Sequence, residues 1–116
     1  MPSLFFDDKM IEHDPGARHP ERPDRLRAIR KRLRDRDDVI WQTPEPVERE
    51  WLERVHADDY VDRLLALRGD SRQLDPDTII SPPSIDAAEL AAGAVCDGVD
   101  TVCGQDEGPA FALVRP

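Results

Sequence analysis

A run of apolar residues determines the predicted fold class: Ala110-Phe111-Ala112-Leu113-Val114-Arg115-Pro116. A nearly continuous apolar run of this length is typical of a parallel β-strand that is covered on both faces. In open α/β sheets, the ligand site lies just beyond the carboxyl ends of such strands. We therefore expect an active-site loop to begin where this run ends, so that the sequence supplies scaffold and lacks most of the chemistry.

Short strands and helices alternate along the rest of the chain. Short apolar runs predict strands at Leu4–Phe6 and Val39–Trp41. Apolar residues at helical spacing predict helices over Pro23–Asp35, from about Val47, and from a capping Asp58 to Gly69. The alternation predicts an α/β fold with a parallel sheet.

Two proline-rich segments and a long helix complete the predicted organisation. Glu12–Pro23 and the segment from Asp75 to Pro83 are predicted loops. Ser84 is expected to cap a fourth helix, whose Ala and Gly residues would allow close packing against a sheet. The predicted apolar face of this helix consists of Ile85, Ala88, Ala92, Val95, Val99 and Val102.

Two or three short strands are too few to cover both edges of a buried parallel strand. The run at Phe111–Val114 would leave an unpaired edge, which folded domains normally avoid. We therefore expect an incomplete sheet: either a fragment of a larger domain, or a module whose exposed edge binds a partner or a second copy.

The charge balance argues against nucleic-acid binding. The chain carries 16 basic and 25 acidic residues, a net charge of −9. Nonspecific nucleic-acid affinity comes largely from positive charge. The basic stretch Arg18–Arg36 lacks interleaved aromatic residues, so it is interpreted as a solvated helix face.

Neither a membrane segment nor a disulfide is predicted. No apolar stretch approaches transmembrane length and the N-terminus lacks signal-peptide features, so we expect a cytoplasmic protein that does not contact membranes. Cys96 and Cys103 lie on one predicted helix, where a rise of about 10 Å between them excludes a disulfide. Both are interpreted as small buried hydrophobic residues, since further zinc ligands are not nearby.

A loop dense in polar residues carries the first candidate site. His13, Asp14 and His19 lie within a few residues of one another. Their spacing fits neither a helical histidine pair nor a compact Cys/His zinc motif. From the residues alone they are either metal ligands or, as we favour, hydrogen-bonding groups that order the loop.

Several strings in order resemble the N-terminal part of the histone deacetylase family, which includes bacterial deacetylases, acetylpolyamine amidohydrolases and acetoin-utilisation proteins. They are HDPG…HPERPDRLRAI, LERVHADDYVDRL, DTIISPPSIDAAELAAGA and AFALVRP. The resemblance extends from about Leu4 to Pro116. It implies an incomplete N-terminal part of a parallel sheet flanked by helices, similar to the fold shared by arginase and the deacetylases.

The resemblance also implies which functional groups are absent. In the family, a strand ending in Val-Arg-Pro leads into a Pro-Gly-His-His loop, and Pro116 matches the first proline of that passage. The paired histidines, the Asp and His zinc ligands and a carbonyl-polarising tyrosine follow later. Residues 1–116 are therefore expected to end before the catalytic His-His loop and to contain neither catalytic residues nor zinc ligands.

Some family roles transfer to residues of this chain. Arg25 matches an arginine that lines an interior channel thought to release acetate or water. His13, Asp14 and His19 match a loop at the rim of the active site, and Asp77 lies in a second rim loop. The family's substrate-gripping aspartate is matched by Ile80 or Ser81, so that contact is doubtful and Asp75 or Asp77 is the alternative.

The resulting interpretation is the N-terminal part of a zinc-dependent deacetylase that acts on acetylated lysine, polyamines or related amines. The 116-residue chain alone is expected to bind no zinc and to be inactive. The alternatives are a non-catalytic interaction module and one half of a split enzyme completed by a partner chain.

Overall fold

A three-stranded parallel sheet with helices packed against it forms the centre of the molecule, as predicted. A computed structural model describes residues 1–104 and 108–115. Pro116, with which the resemblance to the family ends, therefore lies outside the described residues. The helices are α1 (Lys9–Glu12), α2 (Pro23–Leu33), α3 (Arg49–Glu53), α4 (Asp58–Leu65) and α5 (Ser84–Cys103). The strands are β1 (Ser3–Phe5), β2 (Ile40–Gln42), β3 (Arg72–Asp75), β4 (Thr78–Ile80) and β5 (Ala110–Ala112).

The sheet has the order β2-β1-β5, with β1 in the centre. Ser3 of β1 lies opposite Ile40 of β2 on one side and Ala110 of β5 on the other, both in parallel register. All three residues of β1 are buried. A fully buried strand belongs in the middle of a sheet, because both of its faces and both of its edges are then covered.

The core lies where α1, α2 and α5 meet the carboxyl end of the sheet. Met10, Leu26 and Leu113 are each 1% exposed. Pro23 begins α2, because its fixed φ suits the first turn of a helix. Pro23 and Leu26 are the buried residues of α2. The buried core cluster comprises Phe6, Met10, Leu26, Ala87, Leu90 and Leu113.

The face that α5 turns towards the sheet differs from the predicted one. The buried residues are Ser84, Ile85, Ala87, Leu90, Gly93, Ala94 and Gly98. A Cβ on Gly93 would lie 1.7 Å from the carbonyl oxygen of Glu45, so the smallest residues decide which side approaches the neighbouring backbone. The branched residues Val95, Val99 and Val102, predicted to be buried, are instead 52–55% exposed.

These valines form one wall of an uncharged groove between α5 and β5, which we call the α5–β5 groove. On the other wall are Ala110 and Ala112 of β5. Phe111, between them in sequence, is 54% exposed. In the described residues β5 pairs only with β1, so its other edge is free there, in agreement with the incomplete sheet expected from the sequence.

The second predicted loop is a β-hairpin instead. Strands β3 and β4 pair antiparallel on either side of the turn at Pro76-Asp77. Asp75 accepts a hydrogen bond from the backbone N–H of Asp77 at 2.9 Å, an Asx turn that reverses the chain within two residues. The same proline and aspartate residues that predicted a loop thus form the tip of a hairpin.

The first predicted loop and two predicted helix caps also need correction. The four-residue helix α1 ends at Glu12, where the loop was expected to begin. Asp58 and Ser84 are the first helical residues of α4 and α5, not capping residues. The Ser84 hydroxyl instead accepts the backbone N–H of Ser81, which precedes the helix, at 2.7 Å. Along the part of the chain that is described, none of the helices is long and apolar enough to cross a membrane.

Candidate functional site

The carboxyl ends of the parallel strands bring the candidate residues together. The chain passes from β1 to β2 on one side, whereas β5 pairs with the opposite side of β1. Ligands of open α/β sheets bind in the crevice at such a reversal of strand order. Residues that directly follow β1 and β5 therefore lie where a ligand site of this fold is expected.

Arg115, three residues beyond β5, is the central group of this region. Its side chain is 3% exposed. Its Nε and Nη2 donate to Oε1 and Oε2 of Glu21 at 2.7 and 2.6 Å. Its Nη1 donates to the carbonyl oxygens of Met10, at 3.1 Å, and His13. One buried guanidinium thus fastens the end of β5 to the end of α1 and to the loop before α2.

His13 connects this ion pair to the first turn of α5. Its Nδ1 lies 2.5 Å from the Ser84 hydroxyl, and its Nε2 lies 3.8 Å from Oε2 of Glu21. Burial, and secondly the positive charge of Arg115, lower the pKa of His13 below its ordinary value, although Glu21 and Asp14 act in the opposite direction. The imidazole is therefore held preferentially in its neutral form.

His19 joins the first predicted rim loop to the hairpin. Its Nδ1 accepts the backbone N–H of Glu21 at 3.1 Å. Because Nδ1 is thereby an acceptor, Nε2 carries the proton in the neutral ring and donates to the carbonyl oxygen of Asp77 at 2.9 Å. The two loops that the sequence placed at one rim are thus directly connected.

Asp14 and Arg25 lie differently from the other predicted residues. The Asp14 carboxylate accepts the N–H of Gly16 at 2.9 Å, in a turn where Gly16 has φ +118°, and its own N–H donates to the Ser81 hydroxyl at 3.1 Å. Asp14 therefore shapes the loop. Arg25 has a side chain that is 62% exposed, and its Nη1 lies 3.9 Å from Oε1 of Glu21.

A cavity of about 410 Å³ lies beneath these groups, which we call the hairpin cavity. Its walls come from α1, the loop between α1 and α2, α4, the β3–β4 hairpin, the start of α5 and Arg115. Of the predicted site residues, His13, His19 and Asp77 line it. The structure thus places these three residues around one space.

The described residues do not fit a zinc site. Residues 1–104 and 108–115 contain no group of three or more His, Cys, Asp or Glu side chains that could hold a metal ion. Three protein ligands are the usual minimum for catalytic zinc. We therefore derive no chemical step through a metal from these residues.

Three residues of this region, Glu21, Ser84 and Arg115, were not predicted as site residues from the sequence. A signal was present for Arg115, because a charged residue at the end of a buried apolar run requires a buried partner. Glu21 is separated from it by 94 residues, so the partner could not be identified from spacing.

Comparison with known proteins gives consistent matches. The family model described as the histone deacetylase domain matches residues 19–116. A Synechocystis protein named only as uncharacterized is 37% identical over all of this chain and 40% of its own length. Histone deacetylase 8 of Arabidopsis thaliana is 32% identical over 97% of this chain and 36% of its own length.

The structural comparison agrees. The crystal structure of the HDA15 HD domain superimposes with a TM-score of 0.87 at 31% identity, covering 99% of this chain and 35% of that one. The chain thus spans about two fifths or less of the proteins it matches. The predicted arginase/deacetylase-like fold is confirmed for this part of the domain.

Proposed function

Because the chain belongs to the histone deacetylase family, we propose that it is the N-terminal part of a zinc-dependent deacetylase. The reaction is hydrolysis of an acetyl amide on a lysine side chain or a polyamine-like amine. The observation that carries the proposal is the family match over residues 19–116, together with a carboxyl sheet edge organised by a buried Arg115–Glu21 pair. A cytoplasmic location remains a prediction from the sequence.

In this proposal the chain positions the rim of the active site. The bond from His19 to the Asp77 carbonyl holds the two rim segments together. His13 and Asp14 fix the first segment to Ser84 and Ser81 at the start of α5. These residues would define the shape of the entrance through which an acetylated side chain passes.

Arg25 is proposed to line the product channel. The supporting observation is its approach to Glu21, the carboxylate that also binds Arg115. A guanidinium that keeps its charge and most of its donors available suits binding of acetate. Zinc and the groups that move protons are proposed to come from parts of the family domain that this chain does not match.

A chimera tests the proposal. This chain replaces the matched 35% of the HDA15 HD domain, and hydrolysis of an acetyl-lysine peptide and of N-acetylputrescine is measured with and without zinc. We expect zinc-dependent activity from the chimera and none from residues 1–116 alone. The unmodified domain is the control. A folded chimera that is inactive while the control is active, or turnover by purified 1–116 with zinc, contradicts the proposal.

One observation favours the alternative of an interaction module or of half of a split enzyme. The edge of β5 that is free in residues 1–104 and 108–115, and the α5–β5 groove, are apolar surfaces suited to another chain or to self-association. A Phe111→Glu variant discriminates, since it places a charge on the free strand. Self-association would be seen as a dimer in sedimentation that Phe111→Glu abolishes; a monomer at high concentration contradicts it.

A further inference from the structure

We propose that the hairpin cavity binds an uncharged apolar ligand and that the β3–β4 hairpin is its lid. The inference goes beyond deacetylation, although His13, His19 and Asp77 of the proposed rim also line this cavity. It concerns a space that is lined by residues of this chain and is partly open to solvent, so the 116-residue chain itself can be tested for binding.

The size and walls of the cavity suit a small molecule. Its volume of about 410 Å³ falls within the usual range of ligand pockets. For scale, an engineered apolar cavity of about 150 Å³ binds benzene. The apolar side chains that line it include Met10, Leu64, Leu74, Ile79, Ile80 and Ile85, and Tyr60 also lies in the wall.

Several polar groups in the wall already have partners within the protein. Glu21 and Arg115 form a bidentate ion pair, and the Ser84 hydroxyl bonds His13. His19 uses both ring nitrogens, one for the N–H of Glu21 and one for the Asp77 carbonyl. A polar ligand would lose its hydration at these groups without gaining hydrogen bonds from them, whereas an apolar ligand has no hydrogen bonds to water to lose. The wall therefore selects for an uncharged apolar molecule.

The hairpin has the features of a lid. All four residues of β3 are exposed, although Leu74 of this strand lines the cavity. The tip is held by the His19–Asp77 hydrogen bond, which is itself exposed. An exposed neutral hydrogen bond contributes little, so the hairpin is held closed mainly by the packing of Ile80, which is 7% exposed.

A binding experiment with two matched variants tests the site. The probe is the uncharged fluorophore N-phenyl-1-naphthylamine, titrated into the purified chain. Ala88→Trp fills the cavity from an exposed position on α5. The control, Val99→Trp, places the same side chain at another exposed position of α5, in the α5–β5 groove. Circular dichroism verifies that both variants remain helical.

We expect saturable binding of one probe per chain. Ala88→Trp should weaken it at least about tenfold, a change of about 1.4 kcal/mol, and Val99→Trp should leave it unchanged. Absence of saturable binding by the unmodified chain, or loss of binding in Val99→Trp with retention in Ala88→Trp, overturns the site. Because no substrate is hydrolysed in this experiment, its failure is distinct from failure of the proposed deacetylase.

A third variant tests the lid. His19→Ala removes the hydrogen bond to Asp77 and should accelerate probe dissociation about fivefold, with faster hydrogen exchange across residues 72–80. Dissociation at the unmodified rate would show that the hairpin does not control access, and the lid would be rejected.

Discussion

Replacing Arg115 by methionine should destabilise the fold more than any exposed charge substitution. Methionine is unbranched and retains much of the packing, but it removes both bonds to Glu21 and the two bonds to the carbonyls of Met10 and His13. Glu21 is then a largely buried carboxylate, since its side chain is only 15% exposed. Removal of one partner of a buried pair costs about 3–5 kcal/mol. Residual exposure of Glu21, and Arg25 at 3.9 Å, favour the lower value.

Urea unfolding at pH 7, followed by circular dichroism, measures this cost. The double variant Glu21→Leu with Arg115→Met leaves no buried charge without a partner. Its free energy of unfolding should therefore exceed that of Arg115→Met alone by about 1 kcal/mol or more. The control is Asp35→Asn, which breaks the Arg34–Asp35 pair, whose side chains are 60% and 85% exposed. It should produce no measurable change.

The reasoning would be refuted by a double variant that is no stabler than Arg115→Met alone. That outcome would mean that the stranded carboxylate is not the source of the instability. A loss below about 1 kcal/mol for Arg115→Met would refute the premise that the pair is buried in solution.

Two further predictions follow from glycine packing and from His13. Gly93→Ala should strongly lower the midpoint temperature of thermal unfolding, since its Cβ would lie 1.7 Å from the Glu45 carbonyl oxygen. The control Gly98→Ala should be tolerated, because its Cβ would lie 3.6 Å from the Cβ of Ala110. Equal losses in the two variants would contradict the close approach at Gly93. Burial and Arg115 lower the pKa of His13 in the folded chain below its ordinary value of 6.5. At a pH below 6.5, the unfolded chain therefore binds the proton more readily than the folded chain does. The free energy of unfolding should therefore fall as the pH decreases from about 6.5 through the folded-state pKa, and urea titrations of His13→Gln should lack this part of the pH dependence; identical profiles would count against it.

Local patterns predicted most of the elements. The helical spacing from Pro23 and the apolar runs at β1, β2 and β5 locate their elements within one to two residues at most boundaries. These elements are specified by neighbouring residues, and so they can be inferred without tertiary knowledge. The four-residue helix α1 was missed because it is too short to establish a periodicity.

The missed features depend on distant contacts. Periodicity alone placed Val95 and Val99 inside, but the close approach at Gly93 turns the opposite face of α5 inward. The hairpin was missed because Asp75-Pro76 predicts a turn without predicting that its flanks pair. The rim residues His13, His19 and Asp77 were identified through resemblance, and their convergence on one cavity required the fold.

The central position of β1 has a consequence for synthesis on the ribosome. Ser3 pairs with Ala110, a separation of 110 − 3 = 107 residues. At about 5–20 residues per second, roughly 5–20 s pass between translation of the two strands. During that interval one edge of β1 has no paired strand, because β5 has not yet been synthesised. An unpaired strand edge makes the nascent chain prone to aggregation. Any need for chaperones that arises from this edge of β1 should accordingly end once β5 has emerged and paired.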